Sequence, residues 1–260
     1  MNEKIKQYWE ERADSLKNTS STTNDIWLRE LEIKNLTETL HKLNLPKDSK
    51  ILDAGCGDGY STINLAKKFP DFTFKGIDYS EKMIRLANSR FENEHVGNIS
   101  FSVGNILELV KLYNNEFDVV ITIRCLINLD SKQLQKKAFA EIAKVIVKNG
   151  YYVAIENFVE GHNEMNKART KIGLSEIPIR WHNFFFKEDE LDEIVSDYFK
   201  TISIKNFSSS YYFATRVIYS KMCQMKGEQP DYNHEIHQLA VDLPSFGNFS
   251  PIKMIILQKN

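Results

Sequence analysis

The chain has 260 residues, of which 42% are hydrophobic and 27% are charged, and its formal net charge is −1. This length and composition predict one large α/β domain with additions, and the balanced charge argues against the strong basic footprint of nucleic-acid binders. The three cysteines, Cys56, Cys125 and Cys223, lie far apart and show no zinc-ligand spacing, so we expect no metal site. Without an apolar signal segment or an 18-residue apolar run, the sequence predicts a cytoplasmic protein with no membrane span.

Two helices are predicted ahead of the first strand. Residues 3–17 form the first, because apolar side chains recur there at helical spacing. Asn24 or Asp25 can cap the second, which runs to about Leu43. We expect these helices to cover a site on the domain that follows.

Strand and helix signals alternate from position 51 onward. Short apolar runs predict strands at 51–54, 73–77, 99–103, 117–123 and 151–156. Helices are predicted between them at 61–68, 81–91 and 131–147. This alternation is typical of a parallel, doubly wound sheet.

The regular alternation of strands and helices ends after the fifth strand. Residues 157–186 are polar, with a short helix expected at 164–171, and a helix at 187–198 precedes a sixth strand at 201–207. Residues 208–250 form a long excursion before a final strand at 252–258. Insertions of this kind often cover a binding pocket; the alternative is a surface elaboration or a dimer contact.

A glycine-rich stretch, ILDAGCGDGY at residues 51–60, follows the first strand. Gly55, Gly57 and Gly59 let the backbone turn tightly and approach a ligand closely. Asp78 ends the next strand, where a carboxylate can accept hydrogen bonds from both hydroxyls of a ribose. The arrangement therefore predicts a nucleoside site, and a ligand-free tight turn is the alternative.

The spacing of Asp53, Gly55, Gly57 and Gly59 resembles the first motif of class I S-adenosylmethionine (SAM) dependent methyltransferases. A dinucleotide fingerprint would place its third glycine at Tyr60. The resemblance covers residues 49–156 and the terminal strands. It implies an α/β fold with a doubly wound, seven-stranded, mainly parallel sheet of order 3-2-1-4-5-7-6, with SAM as cofactor and S-adenosylhomocysteine (SAH) as product.

The resemblance, extended by the chemistry of the side chains, gives a set of cofactor-binding candidates: Arg29, Asp53, Gly55, Cys56, Gly57, Asp78, Tyr79, Met83, Asn105, Ile106 and Arg124. Arg29 can clamp the SAM carboxylate, or it pairs with Glu30 or Glu32 on its own helix. Asn105 stands where the family usually has aspartate. It can accept a hydrogen bond from the adenine amine, cap the following helix, or do both.

The acceptor is expected to be a small molecule, because the chain lacks the motifs of base-methylating and arginine-methylating enzymes. Its binding candidates are Tyr8, Asn128, Arg180, Asn183, Tyr211, Tyr212 and Arg216. His182 is the first candidate for a general base, and Glu156 is the second. An ionised acceptor needs no base.

In the C-terminal half, residues 180–183, 208–212 and 216 combine hydrogen-bond donors with aromatic side chains. Together with residues 124–129 they resemble a group of bacterial methyltransferases associated with surface-polysaccharide biosynthesis. We therefore expect O-methylation of a sugar, phosphate or carboxylate, with an RNA or protein methyltransferase or a non-catalytic partner subunit as alternatives. The predicted organisation is a single domain, 1–260, with a helical lid (1–45), a SAM-binding core (46–156) and acceptor-side insertions (157–186 and 208–250). No nucleic-acid or membrane partner is expected, and the protein is predicted to be a monomer or homodimer.

Overall fold

The computed structural model describes residues 2–15, 21–94 and 96–260. Two helices, α1 (Glu3–Ser15) and α2 (Ile26–Lys42), precede the sheet as predicted. Asp25 rather than Asn24 caps α2, because its carboxylate accepts a hydrogen bond from the Leu28 amide at 3.0 Å. The last two positions of the predicted first helix, 16 and 17, lie outside the described residues.

The seven strands form one sheet of order β3-β2-β1-β4-β5-β7-β6. They are β1 (Lys50–Ala54), β2 (Thr73–Asp78), β3 (Ile99–Val103), β4 (Phe117–Ile123), β5 (Ile146–Asn157), β6 (Phe199–Lys205) and β7 (Ile252–Lys259). Strand β7 runs antiparallel to both of its neighbours, and the other pairings are parallel. The predicted fold class and strand order are confirmed.

Helices lie on both faces of the sheet. They are α3 (Tyr60–Lys68), α4 (Glu81–Glu92), α5 (Lys132–Val145), α6 (Val159–Lys171), α7 (Leu191–Val195), α8 (Ser209–Tyr212), α9 (Ser220–Lys226) and α10 (Glu235–Ala240), and a π-helix (Phe213–Tyr219) joins α8 to α9. The sheet has a hydrophobic core on each face, and the side chains of β4 alternate between the two. Val120 packs in the core that contains Phe139 of α5, and Val119 packs in the core that contains Leu36 of α2. The central strands are therefore buried on both sides, as a doubly wound sheet requires.

Several element boundaries differ from the sequence prediction. Strand β6 begins and ends two residues earlier than the predicted 201–207, and the helix predicted at 187–198 is reduced to the 3₁₀ turn Glu188–Glu190 and α7. Helix α5 ends at Val145 and β5 already begins at Ile146, so the predicted continuation of the helix to 147 was wrong. Ile146 and Val147 are β-branched, which favours the extended backbone. Helix α6 begins at Val159 and is longer than the predicted segment 164–171.

The 206–251 segment connects the adjacent strands β6 and β7. It contains α8, the π-helix, α9 and α10 and packs against α2 and α6. Across the described ranges, no helix combines the length and apolar character needed to cross a bilayer.

Candidate active site

Two adjoining cavities open at the carboxyl ends of β1, β2, β4 and β5, where open α/β sheets bind ligands. The glycine-loop cleft, about 130 Å³, is lined by Trp9, Thr22, Gly55, Gly57, Asp78, Tyr79, Met83, Gly104, Ile106, Ile123, Arg124, Cys125, Asn128 and Leu129. The insertion cavity, about 220 Å³, is lined mainly by the N-terminal segment and by residues after β5. The two cavities share Trp9, Thr22, Arg124 and Asn128, which we call the junction residues.

The floor of the glycine-loop cleft requires glycine at two positions. Gly55 has φ +89°, and a Cβ there would lie 2.3 Å from the Cys125 Sγ. A Cβ on Gly57 would lie 2.7 Å from the Thr22 Cγ2. A side chain at either position would therefore clash with the cleft wall, and the bare backbone leaves room for a ligand.

Asp78 lies beside this floor and is held by two backbone amides. Its Oδ2 accepts a hydrogen bond from the Gly57 N–H at 3.0 Å and its Oδ1 accepts one from the Ser80 N–H at 2.8 Å. Burial raises its pKa, and these hydrogen bonds oppose the shift. Each carboxylate oxygen keeps a further lone pair for a ligand hydroxyl, so the geometry fits a ribose.

Some, but not all, of the residues expected to contact the adenine lie in the glycine-loop cleft. Tyr79, Met83 and Ile106 line the cleft, but Asn105 does not. The Asn105 Oδ1 accepts a hydrogen bond from the Leu107 N–H at 3.0 Å and caps the short 3₁₀ turn Ile106–Lys111. Of the two roles considered for Asn105, the structure shows the helix cap, and direct contact with the cofactor is not supported.

Three predicted cofactor residues, Arg29, Asp53 and Cys56, line a smaller pocket of about 50 Å³, which shares Gly55 and Gly57 with the glycine-loop cleft. The Arg29 guanidinium is 3.8 Å from the Asp58 carboxylate, and the charge of Glu32, one of its two predicted partners, also acts on it. The Asp53 Oδ2 accepts a hydrogen bond from Thr62 at 2.6 Å, and burial raises its pKa to about 7. These side chains therefore line a pocket that adjoins the cleft at the glycine loop.

The junction combines residues from the N-terminal region and from the loop after β4. Arg124 has φ +52°, and its Nε lies 3.0 Å from the buried Glu32 carboxylate. The Asn128 Oδ1 accepts a hydrogen bond from the Trp9 Nε1–H at 3.2 Å, and its Nδ2 donates to the Arg124 carbonyl at 2.9 Å. Sequence analysis included Arg124 and Asn128 among the site candidates, but it placed Trp9 only in the predicted lid and gave Thr22 no role.

Glu156 does not line either cavity, which contradicts its predicted catalytic role. It is fully buried, and its Oε1 accepts hydrogen bonds from the Thr122 hydroxyl and from the amides of Cys125 and Leu126. The Oε2 accepts one from the Ile127 amide at 3.3 Å. Glu156 therefore fixes the loop after β4, and so positions the junction, without reaching a substrate.

We expect the free energy of unfolding of Glu156→Gln to depend less on pH than that of the wild type. Burial raises the pKa of Glu156 from 4.5 to about 7, although hydrogen bonds oppose the shift. A carboxyl with a raised folded pKa adds stability that is complete below about pH 4.5 and is lost as the pH rises towards 7, at no more than about 1.4 kcal/mol per pH unit. Denaturant titrations across this range measure the slope. The exposed variant Glu81→Gln is the control, and an unchanged slope in Glu156→Gln would contradict the assignment.

His182 lies in the insertion cavity within an aromatic cluster. Its ring centroid is 4.4 Å from that of Tyr8 and 5.7 Å from that of Trp9. Burial lowers its pKa to about 4, and the charges of Arg180 and Arg12 add to this effect. The ring is thus neutral near pH 7 and a weak base. Tyr8 lines neither cavity, so its predicted substrate contact is replaced by packing on His182.

The insertion cavity has four arginines and a single carboxylate in its lining: Arg12, Arg124, Arg180, Arg216 and Asp25. Asp25 forms an ion pair with Arg216, so the predicted substrate-binding guanidinium of Arg216 already has a partner. Arg180 is exposed at the rim, and no other described residue pairs with its guanidinium. The cavity therefore carries positive charge in excess.

The other predicted substrate residues separate into two groups. Asn183 and Tyr212 line the insertion cavity, and Arg216 lies over the Tyr212 ring at 5.3 Å. Tyr211 is buried and lines neither cavity; its hydroxyl donates to the Asp25 Oδ1 at 2.6 Å. The prediction that Tyr211 contacts a substrate was therefore wrong, because α8 turns it towards α2.

Sequence analysis also missed Asn157 and His162, which line the insertion cavity. Asn157 is the last residue of β5, and its buried Oδ1 has no partner among the described residues. Its position at the carboxyl end of a central strand was a signal that could have identified it. In the part of the chain that the structure describes, no group of three His, Cys, Asp or Glu residues could hold a metal ion.

Comparisons with known proteins agree with this geometry. The sequence model of a family described as a methyltransferase domain matches residues 45–207. EEF1A lysine methyltransferase 2 of Homo sapiens is 37% identical over 87 residues, which are 34% of this chain and 36% of that protein. Release factor glutamine methyltransferase of Flavobacterium psychrophilum is 36% identical over 110 residues, which are 40% of this chain and 38% of that protein.

The chain thus spans less than two fifths of the length of these two relatives. Among solved structures, magnesium protoporphyrin IX methyltransferase from Synechocystis PCC 6803 with bound SAH superimposes with a TM-score of 0.59. The identity is 16%, and the match covers 94% of this chain and 88% of that chain. At this identity the likeness shows the fold.

Proposed function

Because the chain belongs to the methyltransferase domain family and its cofactor is SAM, we propose that it transfers a methyl group to an oxygen atom of a small anionic acceptor. The acceptor would bind in the insertion cavity and meet the cofactor at the junction residues. The observation that carries this proposal is the exposed guanidinium of Arg180 in the lining of that cavity, which has no ion-pair partner among the described residues.

The residues of the glycine-loop cleft fit the cofactor. The bare backbone at Gly55 and Gly57 leaves space above the loop, and Asp78 would accept hydrogen bonds from the ribose hydroxyls. Tyr79 and Met83 would pack against the adenine. When bound, SAM supplies an electrophilic methyl group on a positively charged sulfur.

The charge of the insertion cavity favours a carboxylate or phosphate on the acceptor. Asp25 compensates Arg216, and Glu32 compensates Arg124, which leaves the exposed guanidinium of Arg180 available to an anion. Arginine binds such groups in a bidentate manner. Asn183, on the same turn, would contribute a further polar contact.

An ionised acceptor also removes the need for a general base. His182 is neutral near pH 7 and would donate a hydrogen bond to the ionised acceptor. The residues of this chain then contribute to the reaction by aligning the acceptor and by excluding water. Phosphorylated or carboxylated precursors of surface glycans, to which the resemblance in the C-terminal half points, have the required chemistry.

A protein acceptor is the second candidate, because the human relative is named for lysine methylation. A protonated lysine side chain, however, would bring a cation into a cavity that already has excess positive charge. Since like charges at close range repel, this cavity favours the anionic acceptor.

We expect Arg180→Gln to raise the KM for a carboxylated or phosphorylated acceptor by about 3- to 10-fold, with less change in kcat. The side chain is exposed, so solvent and salt screen its charge and limit the effect. Transfer of labelled methyl groups from SAM to a panel of sugar phosphates, sugar acids and peptides measures this. Arg85→Gln, an exposed arginine on α4, is the matched control. Methylation of peptides alone would overturn the proposal.

A further inference from the structure

The place where the two cavities meet determines what surrounds the transferred methyl group. Reacting atoms have to approach to about 3–3.5 Å, and four side chains line both cavities: Trp9, Thr22, Arg124 and Asn128. The sulfonium charge of the cofactor therefore has to lie near this set.

Trp9 is the aromatic residue of the junction, and its ring is held by neighbours. The Nε1–H donates to the Asn128 Oδ1 at 3.2 Å. The rings of Tyr8 and His182 pack edge-on against the indole, with centroid distances of 5.1 and 5.7 Å. These contacts limit the rotation of the indole and keep it at the boundary of the two cavities.

Arg124 is the cation of the junction, and its charge is compensated. Its Nε lies 3.0 Å from the Oε1 of Glu32, and Glu32 is fully buried. An unpaired guanidinium here would repel a second cation. With the pair formed, the junction has little net charge of its own, and the indole is the group best suited to attract a positive charge.

We propose that Trp9 recognises the sulfonium charge of SAM through a cation–π interaction, so that the site holds SAM more tightly than the uncharged product SAH. The proposal rests on the assignment of SAM as cofactor and on the proposed binding of the acceptor in the insertion cavity. Cations are attracted to the face of tryptophan more strongly than to that of phenylalanine, and the usual strength corresponds to about 2- to 30-fold in a dissociation constant. Weaker binding of SAH would assist product release.

The test is calorimetric titration of SAM and of SAH into the 260-residue wild type, Trp9→Leu, Trp9→Phe and Trp27→Leu. Trp9→Leu should weaken SAM binding at least about threefold more than SAH binding. Trp9→Phe should keep part of the preference, because it retains an aromatic face. Trp27→Leu is the matched control: it removes another N-terminal tryptophan, which lines neither cavity and packs against the core, and it should shift both ligands equally.

Equal weakening of SAM and SAH in Trp9→Leu would mean that the indole is only an apolar wall, and would overturn the proposal. So would a loss of preference in Trp9→Phe as large as in Trp9→Leu, since the lost hydrogen bond from the indole N–H to Asn128, and not the aromatic face, would then explain it. A wild type that binds neither ligand would overturn both the cofactor assignment and this proposal. If Trp9→Leu weakens SAM binding more than SAH binding but the wild type methylates no anionic acceptor, only the proposed acceptor would be overturned.

Discussion

Asp78→Ala is expected to weaken SAM binding by about 1.5–3 kcal/mol, or roughly 10- to 150-fold in the dissociation constant. The substitution removes the carboxylate that would accept the ribose hydroxyls. It also removes the acceptor for the Gly57 amide, which holds the glycine loop. The protein should still fold, because Asp78 is the last residue of β2 and the pairing of that strand uses backbone groups. Calorimetry with SAM, SAH and NAD measures the effect, and no NAD binding is expected.

The matched control for this prediction is Asp71→Ala. Asp71 is an exposed acid just before β2, and its side chain has only a distant contact, 3.9 Å, with Lys47. Its loss should leave the affinity for SAM unchanged. If Asp78→Ala binds SAM as tightly as Asp71→Ala does, Asp78 is not the ribose ligand.

Asp25→Ala is expected to lower the free energy of unfolding by about 3–5 kcal/mol, because it leaves the Arg216 guanidinium without its carboxylate in a mostly buried position. The same carboxylate caps α2 and accepts the Tyr211 hydroxyl. Burial acts to raise the pKa of Asp25, but the nearby His237 and Arg216 outweigh it and hold that pKa well below its ordinary value of 3.8. The stabilisation is therefore complete above about pH 4 and is lost as the pH falls further.

Denaturant unfolding of a double-mutant cycle isolates the ion pair. Arg216→Met and the double variant Asp25→Ala/Arg216→Met complete the cycle with the wild type and the single variant. The double variant should be more stable than the sum of the single effects predicts, because it leaves no charge unpaired. Strict additivity would show that the two residues do not stabilise each other.

The sequence predicted the sheet and the glycine-loop cleft well because both depend on local patterns. Apolar runs located the strands, and the spacing from Gly55 to Asp78 placed a carboxylate beside the loop. The strand order came from the family resemblance and is confirmed. Patterns of this kind involve neighbours in sequence or on adjacent strands.

The insertion cavity was predicted less well because its polar side chains find partners far away in the sequence. Asp25 and Arg216 are 191 positions apart, so a sequence pattern could propose a free arginine but could not show that it was already paired. The sequence placed Glu156 correctly at the end of β5. The direction of its side chain, however, depends on the loop at 125–127, because the carboxylate accepts hydrogen bonds from the amides of that loop. Residue type and strand position identify candidates, and only the tertiary contacts separate ligands from supports.

The attachment of the 206–251 segment has a consequence for how acceptor preference can diversify. Both of its ends enter neighbouring antiparallel strands, where Lys205 pairs with Met254, so the distance between the ends is fixed by the sheet. Lengthening a surface connection between fixed ends is inexpensive, about 0.6 kcal/mol for each doubling. Evolution, or a protein engineer exchanging segments between homologues, can therefore replace this wall of the insertion cavity while β6, β7 and the cofactor-binding half keep their register.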